Sequence, residues 1–243
     1  MSQAEFLADN PYATFGMTAA EAPAEARLTF IRKTYTHLAA AVYALVMFEM
    51  AIFYLVPLDR WMENVFLQQR WIWWAMFGGY MVISWLADRW ARSDTSVGVQ
   101  YAGLFSYVAA FGVLLCPLLW IANHFEVPLA GPSGTEMVLS PITVAAGITF
   151  AVFGVLTAVV FLTRHDFSYL GPILGIAGVV GFALIGLAAF GLLNFGVLLC
   201  LVFVLFACGS ILYNTSNILH HYRTDQHVAA SLALFASVAL LFW

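Results

Sequence analysis

Charge is the scarcest commodity in this 243-residue sequence: Asp, Glu, Lys and Arg make up 9% of it, against roughly 25% in an ordinary soluble domain. Hydrophobic residues make up 63%. No single core absorbs that much apolar surface, so lipid must solvate most of it. The formal charge of −4 is spread along the chain, and without a basic patch a nucleic-acid partner is excluded. Lysine occurs once, at Lys33, outside every long apolar run, so no retinal Schiff base forms in a last helix. Cys116, Cys200 and Cys208 lie inside apolar runs and match neither a disulfide framework nor a metal site; they read as small buried residues. No run carries the His and Asp set of an intramembrane zinc hydrolase. Gly209-Ser210 faintly echoes a nucleophile turn, but no intramembrane His is placed as its base. A glycine-rich phosphate loop is missing, and so is the internal repeat expected of a small-molecule carrier. The expectation is a non-enzyme, with no cofactor and no metal.

What is present is a succession of apolar segments. Residues 1–34 hold Glu5, Asp9, Glu21, Glu25, Arg27, Arg32 and Lys33 without an apolar stretch, so they read as a cytoplasmic arm, loosely ordered to about Ala24, rather than a signal peptide. Residues 35–243 then divide into seven runs: Tyr35 to Val56, Trp71 to Trp90, Val99 to Ala122, Ile142 to Thr163, Tyr169 to Phe190, Phe195 to His220 and His227 to Trp243. Each is close to the ~20 residues that cross the hydrocarbon layer. The expected fold is all-α, a polytopic membrane protein whose one domain is a seven-transmembrane-helix bundle.

Positive charge sets the orientation. With the N-terminus cytoplasmic, Arg27, Arg32, Lys33, Arg89, Arg92, Arg164 and Arg223 lie inside and only Arg60 and Arg70 outside. An odd number of spans puts the C-terminus outside. The one sizeable loop, His124 to Ser140, contains Gly131, Pro132 and Gly134 and no Lys or Arg, as an outer loop should. The inner elbows are short and charged, which forces antiparallel packing of consecutive helices. Gly171 and Gly175 of the fifth span form a GxxxG pair that allows close helix approach.

Polar side chains inside these runs mark what the bundle encloses, because a lone polar group in hydrocarbon costs several kcal/mol. Glu49 is the one carboxylate of the first span, roughly 20 Å from Tyr35 at ~1.5 Å per residue. It reads either as a group reaching the outer interface or as a protonatable site on an ion path. Asn214, Asn217 and His221 recur at i, i+3 and i+7, one helical face of the sixth span. Ser237, in the seventh, lies at a depth to meet Asn214. Together these form a candidate polar centre, either interhelical glue or the lining of a solvated cavity. His220, His221 and His227 bracket the last elbow with Arg223 and Asp225; they invite a pH-sensing reading, although tuning of the elbow is the simpler one.

Three blocks carry a family resemblance: TRHDFSYLG (Thr163 to Gly171), SILYNTSNILHHY (Ser210 to Tyr222) and DQHVAASLALFASVALLF (Asp225 to Phe242). YAGLFSYVAAFGVLLCPLL (Tyr101 to Leu119) is a weaker fourth. They resemble the Bax inhibitor-1, or transmembrane Bax inhibitor motif, family, and the elbow motif of that family falls on Arg164 and Asp166. The resemblance implies seven helices and a pH-regulated calcium leak through two facing aspartates, with roles in cell death or membrane-protein quality control. Those aspartates fall on Asn214 and Ser237, so this chain resembles a divergent, bacterial-type member in which both acids are missing. Neutral Asn and Ser neither titrate nor hold Ca²⁺ by charge. Two functions stay open: an ion (calcium or proton) leak or its remnant, and a non-conducting accessory or regulatory subunit of a larger membrane complex. The expected partners are the bilayer of a bacterial inner membrane and other membrane proteins.

Overall fold

The computed structural model describes residues 16–66, 68–92, 96–125, 127–130, 136–189 and 196–243. Among them are seven long helices: α1 Ala24–Leu55, α2 Arg70–Ala91, α3 Val97–Ala122, α4 Pro141–Thr163, α5 Leu170–Ala189, α6 Gly196–His220 and α7 His227–Phe242. Local chemistry sets their ends. Pro57 disfavours helix at the residue before it, and α1 stops at Leu55. Ser96 caps α3, its hydroxyl accepting from the Val99 N–H at 3.3 Å. Ser140 does the same for α4 from Ile142 at 3.2 Å, with Pro141 as the first helical residue. Arg164 closes α4 in the left-handed region, φ 51°.

Four of these helices, α1, α3, α4 and α6, are long and apolar enough to cross a membrane. Many of their large side chains face outward: Leu162 is 84% exposed and Val197 76%. In water such surfaces would drive aggregation, whereas acyl chains solvate them. The chain is an all-α polytopic membrane protein.

The described residues sort into two compact units. The first holds residues up to His37 together with Val152–Leu241. Its most secluded element is α7, buried at ten positions from Val228 to Ala239. In the same unit α5 meets α6 through small residues: a Cβ on Gly181 would lie 3.2 Å from the Phe203 ring, one on Gly171 3.0 Å from Tyr213, and one on Gly209 3.2 Å from Leu174. A Cβ on Gly175 would meet open space, so the pairing runs through Gly171 and Gly181 rather than a Gly171–Gly175 seam. Rings of α6 drop into glycine hollows of α5.

Two features of the first unit depart from the sequence reading. Helix α1 starts at Ala24, well before Tyr35, because Arg27, Arg32 and Lys33 continue its register into water. The arm, expected to be loose to about Ala24, is pinned from Met17: Ala19 N–H donates to Tyr222 C=O at 2.9 Å and Thr224 N–H to Met17 C=O at 3.1 Å. Ala19 and Ala22 are buried there, and backbone pairing with the α6–α7 elbow needs no hydrophobic pattern to form. Residues 1–15 lie outside the described ones.

The second unit spans Leu38–Ala151, with Phe242–Trp243. Its helices α2 and α3 pack at backbone distance: a Cβ on Gly103 would sit 2.6 Å from the Ala87 carbonyl. The Tyr80 and Tyr107 hydroxyls join at 2.6 Å, and Trp120 Nε1 donates to Asp59 at 2.8 Å. The sequence read His124 to Ser140 as a loop. It contains two strands, β1 Val127–Ala130 and β2 Glu136–Leu139, paired antiparallel with Val127 opposite Leu139. The four-residue runs were too short to stand out by period. Gly131, Pro132 and Gly134 lie outside the described residues.

Candidate functional site around Asn214, Thr215 and Ser216

Successive side chains on a helix turn by about 100°, so three polar residues in a row point three ways. Asn214, Thr215 and Ser216 of α6 do this. Asn214 Nδ2 donates to the Ser237 hydroxyl at 2.8 Å and approaches the Ala233 carbonyl at 3.3 Å. Ser237 is 3% exposed and donates to that same carbonyl at 3.0 Å. The result is a neutral clasp of α6 to α7, with no ionised group in it.

Ser216, fully buried, holds the elbow between α4 and α5. Its oxygen accepts the Phe167 N–H at 2.8 Å and lies 3.3 Å from Asp166 Oδ1. Asp166 Oδ1 also accepts the Ser168 N–H at 2.8 Å, and Oδ2 faces His221 Nε2 at 3.3 Å. Backbone and side-chain bonds from Ser168, then the neighbouring His221, hold the Asp166 carboxyl below its ordinary range. Arg164 and Asp166 of the sequence motif thus play separate parts, the first closing α4 and the second tying the elbow to the end of α6. Thr215, between Asn214 and Ser216, is fully buried and points to neither partner.

The other candidates scatter. Asn217 ends α6 through its backbone, its carbonyl accepting the His221 and Tyr222 N–H groups at 2.8 and 2.9 Å. His221 lies past the last residue of α6, so the i+7 spacing from Asn214 no longer places it on the same face: Asn214 turns to α7 and His221 to the elbow. His220 Nδ1 lies 3.0 Å from its own helix's Ser216 carbonyl. His227 packs on His37 with ring centroids 5.0 Å apart, so the three histidines form no cluster. Among the described residues no group of three His, Cys, Asp or Glu is placed to hold a metal ion. Glu49 belongs to the second unit. It is 7% exposed, and neither carboxylate oxygen hydrogen-bonds to a described residue. A Cβ on Gly112 would lie 3.3 Å from its Oε1, so α3 covers it closely.

Sequence reasoning missed Ser216 and the Asp166–His221 contact. The signal was there in part: Asp166 and Ser168 form an Asx turn spacing at the start of an apolar run, but which helix end it would meet has no local signature.

Apolar crossings joined by a small set of polar contacts define an integral membrane protein of several spans, its last two long helices clasped by an amide and a hydroxyl. The chain belongs to the Bax inhibitor-1 family: the model of the family described as inhibitor of apoptosis-promoting Bax1 matches residues 27–243. It is 27% identical over 233 residues to Bax inhibitor 1 of Schizosaccharomyces pombe, covering 92% of this chain and 76% of that protein. Over 104 residues it is 38% identical to YccA of Escherichia coli K12, the modulator of FtsH protease, covering 42% of this chain and 46% of YccA. Protein LIFEGUARD 4 of Arabidopsis thaliana is 29% identical over 149 residues, 54% of this chain and 60% of that protein.

Proposed function

We propose that this protein is a non-conducting, non-enzymatic regulator of a membrane-bound protease. The observation that carries the reading is the Asn214–Ser237 clasp at 2.8 Å. Where the family resemblance expects two facing acids, these two groups keep the same charge at every physiological pH, so they give a gate nothing to respond to. The likeness to YccA, named as a modulator of FtsH protease, supplies the class of partner. We further propose seven crossings in a bacterial inner membrane, N-terminus inside and C-terminus outside; the Lys and Arg asymmetry supports this. A test places the purified full chain and an FtsH-type protease in one nanodisc and follows degradation of a membrane substrate. The rate changes on adding the chain if the reading holds; a rate identical to that of nanodiscs holding the protease alone overturns it.

A second reading, a proton or monovalent-cation leak, is favoured by one observation. Glu49 is buried with both oxygens unbonded to described residues, and an intramembrane acid of that kind commonly marks an ion path. Liposomes decide between the two. Flux above empty vesicles that vanishes in Glu49→Gln establishes the leak, and no flux in the parent protein removes it.

A further inference from the structure

We propose that the second unit holds one phospholipid, its acyl chain laid in a groove between α2 and α3 and its phosphate beside Arg89. The groove has a volume of about 520 Å³ and runs along α2 from Met76 to Trp90. Its α2 residues, Gly79, Ile83 and Leu86 among them, recur at three- and four-residue steps and so form one face of the helix. Ala109, Ala110 and Val113 of α3 make the other wall.

Helix packing creates this hollow. To one side of it α3 meets α2 at backbone distance, Gly103 against Ala87 and Ala91. The Tyr80 ring packs on Tyr107 and Phe111 with centroids 5.8 and 6.2 Å apart, and its hydroxyl is joined to that of Tyr107 at 2.6 Å. Tyr80 therefore offers the groove ring surface, and the walls present carbon almost throughout. Gly79 deepens the hollow, because a Cβ there would meet nothing within 4 Å.

Size selects the occupant. From Trp90 to Met76 the groove follows α2 for about 21 Å at ~1.5 Å per residue, whereas one leaflet supplies about 15 Å, half of the hydrocarbon core. An acyl chain entering at Trp90 thus stays in the groove to its end. If each methylene fills about the 30 Å³ of a water molecule in the liquid, a chain of about sixteen carbons needs about 480 Å³, close to the volume found. A helix of the same length, about 10 Å across, needs about 1,600 Å³. It would rest on the rim and leave the floor empty, forfeiting contacts that a thin chain makes. Charge completes the fit. Trp90 stands one residue before the end of α2, where indole rings meet the headgroup level. Next to it, the exposed Arg89 holds its guanidinium 4.6 Å above the Trp85 ring. Arg92 is paired with Asp88 at 2.9 Å, so Arg89 is the cation that meets a lipid phosphate. With the orientation proposed above this is the inner leaflet, and the site stands independently of which function is correct.

The test is native mass spectrometry of the purified full chain, exchanged into detergent from nanodiscs of phosphatidylethanolamine and phosphatidylglycerol. One phospholipid per chain is expected to survive the exchange. Gly79→Leu with Ala110→Leu fills the groove and lowers retention several-fold, as does Arg89→Gln at the phosphate end. Gly147→Leu, whose side chain enters open space on α4, leaves retention unchanged. If the double variant does not fold, Gly79→Leu alone takes its place. A parent chain that keeps no lipid, equal retention in the filled or Arg89→Gln variants, a fatty acid in place of the phospholipid, or a dimer that groove filling splits each overturns the proposal.

Discussion

At the scale of single residues, two elbow positions carry measurable energy. Arg164 holds φ at 51° with a full side chain, where glycine is the usual occupant. The left-handed region costs an L-residue roughly 1–2 kcal/mol, so Arg164→Gly is expected to stabilise the fold by about 1 kcal/mol, part of the gain being lost to the greater freedom of glycine in the unfolded chain. Thermal unfolding in detergent should show a higher midpoint; a lower one would place the strain elsewhere. Asp166 offers a pH handle. Its carboxyl is held below the ordinary range, chiefly by the Ser168 N–H, so the folded state binds its proton less readily than the unfolded chain. That contribution is present in full above the unfolded value of about 3.9 and drains away as pH falls through the lowered folded value. Solvent at this exposed pair keeps the effect modest. Asp166→Asn, which keeps an acceptor for Ser168, should flatten the acid side of a melting-midpoint profile below about pH 4. These residues also show where a sequence stops being readable. Asn214 and Ser237 stood out as amide and hydroxyl in apolar runs, and depth along two antiparallel helices was enough to set them opposite. Thr215 did not stand out, because Thr is common in such runs and only its orientation, one step round from Asn214, directs it elsewhere.

At the scale of elements, the helix ends were the most legible feature. The expected runs and the observed helices agree within a residue or two for α2 to α7, since Pro, Ser caps and charged elbows are local signals that act without help from the rest of the chain. What a helix touches is another matter. GxxxG spacing pointed to Gly171 and Gly175, yet a Cβ on Gly175 would meet nothing, while Gly103, in no glycine motif, lies directly against the backbone of α2. A methyl there would sit 2.6 Å from the Ala87 carbonyl and 2.9 Å from the Ala91 nitrogen. These obstacles are backbone, so no rotamer change relieves them and α2 must move away from α3. Gly103→Ala should therefore destabilise by about 1–3 kcal/mol, the usual cost of overpacking. Gly147→Ala in α4, where a Cβ would meet open space, is the control and should be neutral or stabilising through helix propensity. A comparable loss at Gly147 would show that something other than the close approach at Gly103 is being measured. The short β1–β2 pair and the arm strapped along the last elbow were missed for one shared reason: both are held by backbone hydrogen bonds, which side-chain patterning does not report.

At the scale of the whole molecule, the question is what a family scaffold does once its expected acids are gone. The amide of Asn214 donates to Ser237, and the Ser237 hydroxyl in turn donates to the Ala233 carbonyl, so the contact is directional and complete without any ion. Restoring acids at both positions reverses that logic. In Asn214→Asp with Ser237→Asp, two carboxylates replace a donor–acceptor pair whose atoms are now 2.8 Å apart. Ionised together they repel in a medium that screens poorly, and sharing one proton they bind. The contact between α6 and α7 then depends on pH where the parent contact does not. The double variant is expected to show pH-dependent stability near neutrality, and pH-dependent ion flux in liposomes if the scaffold still encloses a path. The parent protein should show a flat profile over the same range. A parent profile as steep as the variant's would mean that titration comes from elsewhere, with Glu49 the first residue to replace by Gln, and the regulator reading would then yield to the leak.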